Sequence, residues 1–135
     1  MNFKYSQRNI MYFVDKNKTS CVFISLFFWF SACKEDPARH LNLGDWYLNK
    51  GLIEEAIDEY KEVTRAFAGN ASSLTREEND ILGKAHFKLA IAYTKWGMWE
   101  FALNEAKKSF NVQPNKDSHD LVELIQQKLA LRTDS

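Results

Sequence analysis

The sequence predicts an all-α fold: about two helical-hairpin repeats and a C-terminal capping helix, following a short hydrophobic segment. Three observations predict it. Beyond residue 36, apolar side chains recur at three- and four-residue spacing with charges between them, the pattern of helices with one buried face. Gly51 and Gly97 interrupt that pattern at equivalent places, and superposing them brings similar residues into register on both sides. The long uncharged run Cys21 to Ala32 precedes all of this and differs from it in composition.

That run reads CVFISLFFWFSA and follows a polar stretch carrying Lys4, Arg8, Lys16 and Lys18 against Asp15. A helix needs about 20 apolar residues to cross a bilayer, so twelve are short for a permanent span and suit a cleavable signal. The basic flank would stay on the cytoplasmic side. Translation can begin at Met1 or at Met11, the second giving a signal of more ordinary length.

Phe30-Ser31-Ala32-Cys33 resembles the bacterial lipobox: an aliphatic residue, two small residues and a cysteine. Ser31 and Ala32 match it, and Phe30 stands where leucine is usual. The resemblance implies that residues 1–32 are removed. By the same resemblance Cys33 would become the amino terminus and carry a diacylglyceryl thioether and further acyl chains of the palmitate kind. Lys34 follows, not the aspartate that retains some lipoproteins at the inner membrane, which points to the outer membrane of a bacterial cell envelope. The alternatives are an ordinary cleaved signal and an uncleaved anchor with Cys33 a passive thiol.

Residues 33–36 form a tether to a helical domain spanning 37–135. Asp36 can cap the first helix and Pro37 suits its first turn, where a missing N–H costs nothing. Leu41, Trp46, Tyr47 and Leu48 supply apolar contacts before Gly51 offers a left-handed stop. A second helix follows with Ile53, Ala56, Ile57, Tyr60 and Val63 on one face, ended by Gly69 and Asn70. Repeat one covers about 37–69, an insertion about 70–82, repeat two about 83–116 and the capping helix about 117–132. Within the insertion, Thr75 and Glu78 form a capping box, which predicts one long helix from Arg76 to Trp96. Asp117 or Ser118 opens the last helix, whose face is Leu121, Leu124, Ile125 and Leu129.

The alignment of Gly51 with Gly97 pairs His40 with His86, Leu43 with Leu89, Gly44 with Ala90, Tyr47 with Tyr93, Ala56 with Ala102 and Ile57 with Leu103. This order of bulky, leucine, small, tyrosine, turn glycine and alanine resembles the tetratricopeptide repeat (TPR), about 34 residues long. Pro114 stands at the family's closing proline; Ala68 replaces it in the first copy. Gly44 with Ala56, and Ala90 with Ala102, would let each pair of helices approach closely. Such stacks usually need about three repeats, so the long second hairpin, the last helix, self-association or a partner must compensate.

Composition narrows the function. The chain has no net charge, and 14 basic against 17 acidic residues lie beyond Cys33 without a basic cluster, which excludes a nucleic-acid footprint. Both cysteines, Cys21 and Cys33, precede the helical region, so neither a disulfide scaffold nor a thiolate metal site is expected there. No phosphate-cradling glycine loop is present, no cofactor or metal is implied, and no catalytic residue is assigned. His40 and His86 share a register and read as packing residues; a buried His86 without a neighbouring carboxylate would dismiss an enzyme role.

The TPR resemblance implies a protein or peptide ligand held by the first helix of each hairpin. That surface would present Leu41, Asn42, Asp45, Asn49, Lys84, Phe87, Lys88, Ile91, Lys95 and, at its end, Trp96. Leu41 and Asp45 occupy the places where some family members grip a terminal carboxylate with lysine and asparagine, which argues against that mode. Trp96 and Phe101 read as core, with an exposed interface pair as the alternative; Trp99 reads as core. The expectation is a lipid-anchored scaffold or adaptor in a membrane-associated complex. The alternatives are a self-associating structural lipoprotein, hence a homo-oligomer, and an accessory subunit of an envelope enzyme.

Overall fold

The computed structural model describes residues 36–69 and 73–133. The signal segment, Cys33 and Asn70 lie outside the described residues. Five helices and no strand are found among those described: α1 (Pro37–Asn49), α2 (Ile53–Phe67), α3 (Arg76–Trp96), α4 (Trp99–Val112) and α5 (Lys116–Thr133). None of them is long and apolar enough to cross a membrane.

Local chemistry fixes most helix ends. Asp36 accepts a 3.0 Å bond from the Ala38 N–H, and Pro37 fills the first turn of α1. At Thr75 the capping box is complete: its hydroxyl accepts from the Glu78 N–H at 3.2 Å, while its own N–H donates to the Glu78 carboxylate at 2.8 Å. Gly51 and Gly97 take φ of +77° and +79°, the left-handed conformation that costs glycine nothing. Each closes the same Schellman pair of bonds. Leu52 N–H reaches the Tyr47 carbonyl and Gly51 N–H that of Leu48; Met98 reaches Tyr93 and Gly97 reaches Thr94, all at 2.9–3.1 Å.

Two ends fall a little earlier than expected. α2 stops at Phe67, with Ala68 bonded back to the Arg65 carbonyl, just before Gly69. The cap of α5 is Asn115, whose side chain accepts the Ser118 N–H at 2.8 Å, and the helix starts at Lys116. Ser118 is fully buried, and its hydroxyl donates to the Asn115 and Gln113 carbonyls, so its polarity serves the turn after Pro114.

Consecutive helices pack on each other, and α1 also touches α3. With connections this short, α1/α2 and α3/α4 are helical hairpins stacked side by side in parallel, a TPR-like arrangement, and α5 covers α4. The main core joins Ile57, Tyr60, Leu89, Tyr93 and Ile125 with the small residues Ala56, Ala90, Ala102 and Ala106. Trp99 packs against it, as do Leu121 and Leu129.

A second cluster joins Val63 and Phe67 of α2 with Leu82 and Ala85 of α3, flanked by Leu74 and Ile81. Residues 76–82 therefore extend α3 and bury apolar side chains against the far end of α2. The longer hairpin adds core that two repeats of ordinary length would lack.

Gly44 has a partner beyond Ala56. A Cβ there would lie 2.5 Å from the Tyr60 ring, so the glycine makes room for Tyr60. In the second hairpin Ala90 and Ala106 hold the equivalent places. Small-plus-large has become small-plus-small.

Candidate functional site

Helical spacing puts Asn42, Asp45 and Asn49 on one face of α1, and Lys84, Lys88, Ile91 and Lys95 on one face of α3. Asn42, Asn49, Lys84, Lys95 and Trp96 are exposed; Asp45, Lys88 and Ile91 are half-buried. Leu41 does not belong to this surface, because it packs against both core clusters.

The two helices meet through charge. Lys88 Nζ lies 3.1 Å from Asp45 Oδ1 and 3.3 Å from Oδ2, joining one hairpin to the next. Tyr60, fully buried, donates its hydroxyl to Asp45 Oδ1 at 2.6 Å. Burial and the adjacent carboxylate both push the phenol well above its ordinary range, so it remains a proton donor. Lys84 pairs with Asp80 at 2.6 Å. The bonds from Lys84 and from Gln113 hold the Asp80 carboxyl below its usual value.

The histidines carry a feature that the residue types alone did not reveal. His40 Nδ1 lies 2.6 Å from Glu59 Oε2, and His86 Nδ1 lies 2.6 Å from Glu105 Oε2. Each pair ties the first helix of a hairpin to the second, at the same register in both. An ionised carboxylate can only accept, so the imidazole carries a proton on Nδ1. The condition that would have dismissed an enzyme role is thus not met, since His86 does have a carboxylate beside it. Its duplication at His40 is the signature of a structural tie belonging to the repeat. Register was the available signal: Glu59 and Glu105 stand 46 residues apart, as His40 and His86 do.

Burial pushes the Glu105 carboxyl up, but the bonds from His86 and Lys108 outweigh it and hold it below the usual glutamate value. A carboxyl lowered by folding contributes stability that is present above its unfolded pKa of about 4.3 and lost as pH falls through the folded value. Glu105→Gln should therefore be less stable than the parent at pH 7, and the difference should be lost at about pH 2, once the carboxyl is protonated in the folded protein too. Urea titrations at the two pH values measure it; a difference independent of pH would contradict the tie.

Trp96 and Phe101 are 48% and 55% exposed, so they are surface aromatics rather than core. Phe101 keeps one contact inward, its ring 5.7 Å from that of Tyr93. Trp99 is partly buried, with Lys128 Nζ 6.0 Å from its ring.

No family model and no curated protein matches this chain. Among solved structures it is similar to the first TPR of Spaghetti (RPAP3) bound to the HSP90 peptide SRMEEVD, at 17% identity and a TM-score of 0.36, over 73% of this chain and 99% of that one.

Proposed function

We propose that this chain is a lipid-anchored protein of the bacterial cell envelope whose TPR-like hairpins hold a protein partner, as scaffold or adaptor rather than catalyst. One observation carries the interaction half. The Asp45–Lys88 pair spans both hairpins in the middle of the α1/α3 face, its side chains 37% and 35% exposed, among the exposed Asn42, Asn49, Lys84 and Lys95. Amides and cations that share a face and retain water access can bond an extended or helical segment along both hairpins. Trp96 lies at the end of the same face and offers a large apolar contact.

The membrane half rests on the apolar run and the lipobox-like residues before Cys33. Each buried methylene contributes about 0.8 kcal/mol, and one acyl chain binds only marginally, so durable attachment takes two or three. A module on such a tether meets its partner at the membrane surface.

Site-specific photo-crosslinking in intact cells tests the face. A photoreactive residue at Asn42 or Lys95 should capture one partner, and the same residue at Glu123 on α5 should not. Adding Lys84→Glu should weaken the capture about tenfold. Equal capture from both surfaces would refute the assignment.

A further inference from the structure

Helix direction sorts the surface into two edges. Short connections make α1, α3 and α5 run one way and α2 and α4 the other. The Gly51 and Gly97 turns and the end of α5 therefore share one edge. Asp36, Gly69, Leu74 and the α4–α5 turn lie toward the opposite one, separated from it by about 20–31 Å, the lengths of α1 and α3 at 1.5 Å per residue.

The exposed large apolar residues collect on the turn edge. Trp46, Leu52, Trp96, Phe101 and Leu131 are 42–70% exposed, and each sits in or beside a turn or in the last turns of α5. Among the described residues only Leu124 of this class lies elsewhere. A fully buried aromatic hides about 150–250 Å², so these five half-exposed side chains leave on the order of 500 Å² of apolar surface. That is more than half of the about 800 Å² per partner in a standard interface.

The charges around this patch identify its occupant. Lys50 and Lys95 stand at the ends of α1 and α3, and Glu54, Glu55 and Glu100 at the starts of α2 and α4. Each sign suits its own helix terminus, which accounts for its position. Together they make a rim of both signs at one edge. An anionic bilayer would repel the glutamates. A two-fold rotation instead sets the basic helix ends of one copy against the acidic helix starts of the other, and brings two apolar patches together.

We propose that the turn edge is a self-association surface on which two copies of this chain pair about a two-fold axis, with Trp96 and Phe101 as anchors. The contact takes Lys95 and Trp96 from the end of the α1/α3 face, leaves Asn42, Asp45, Lys84 and Lys88 open, and sets the first residues of each helical domain at the far edges. It adds burial to that which the long second hairpin already provides. The inference stands apart from the proposed function, since neither the lipid nor a foreign partner enters it.

Light scattering of the full chain in detergent, with the protein mass separated from the micelle, tests it over a range of concentrations. The parent should be a dimer at tens of micromolar. Trp96→Lys with Phe101→Lys should raise the dissociation constant at least about 30-fold, each anchor being counted twice across the axis. Leu52→Lys, at an exposed turn position, serves as a second variant if the first loses helical circular dichroism. A parent that stays monomeric throughout overturns the proposal. So does a dimer that survives the edge variants with unchanged affinity.

Discussion

Tyr60→Ala should cost the domain about 3–5 kcal/mol, the range for removing a large side chain from a packed core. Tyr60 is fully buried, and its ring fills the space that Gly44 leaves open between α1 and α2. Its hydroxyl also holds Asp45, which in turn holds Lys88 of the next hairpin. Domains of this size have about 5–15 kcal/mol in all, so the variant should unfold at markedly lower urea concentration. Tyr60→Phe separates the two contributions. It keeps the ring and removes only the bond to a charged acceptor, worth about 1.5–3 kcal/mol. Equal losses from both variants would mean that the ring itself contributes little, contrary to its position.

Gly44→Ala should destabilise by about 1–3 kcal/mol although alanine is the better helix former by about 1 kcal/mol. The added methyl would lie 2.5 Å from one ring carbon of Tyr60 and 2.7 Å from another. The ring is enclosed and tethered through its hydroxyl, so it cannot swing aside cheaply. In a Tyr60→Ala background the same substitution should become neutral or favourable, because the first hairpin then resembles the second, with Ala90 and Ala106 at these places. That reversal of sign is a coupling energy, readable from a double-mutant cycle. Additive effects would show that Gly44 has some other reason.

These two residues also show where sequence reasoning ends. The caps at Asp36 and Thr75 and the stops at Gly51 and Gly97 were legible because their chemistry lies within a few residues. The repeat was legible because His, Leu, small, Tyr and Ala return in one order 46 residues later. The partner of Gly44 was not, since Tyr60 belongs to the neighbouring helix and its counterpart in the second hairpin is alanine. Periodicity named the face bearing Asp45 and Lys88 but could not say that they bond each other across 43 residues.

Other gaps have equally physical causes. Asn115, which follows Pro114 and stands two residues before Asp117, caps α5 in place of Asp117 or Ser118, and the Ser118 hydroxyl is drawn inward to two carbonyls. Trp96 and Phe101 flank a turn, where helical spacing no longer decides which way a side chain faces. The His–carboxylate ties have no local signature, because a glutamate on an amphipathic helix has the same spacing whether it is solvated or paired. Only the recurrence of Glu59 at Glu105, in step with His40 and His86, marks them.

Chain processing offers the most direct test of a hairpin module held at a membrane. The native product, isolated from the membrane fraction of a bacterial host, can be digested and its amino-terminal peptide weighed. The expected product is a chain beginning at Cys33, heavier than its sequence by a diacylglyceryl group and further acyl chains, with that mass lost in Cys33→Ser. A free thiol at Cys33, within a chain still carrying the preceding apolar run or cut at another residue, would contradict it.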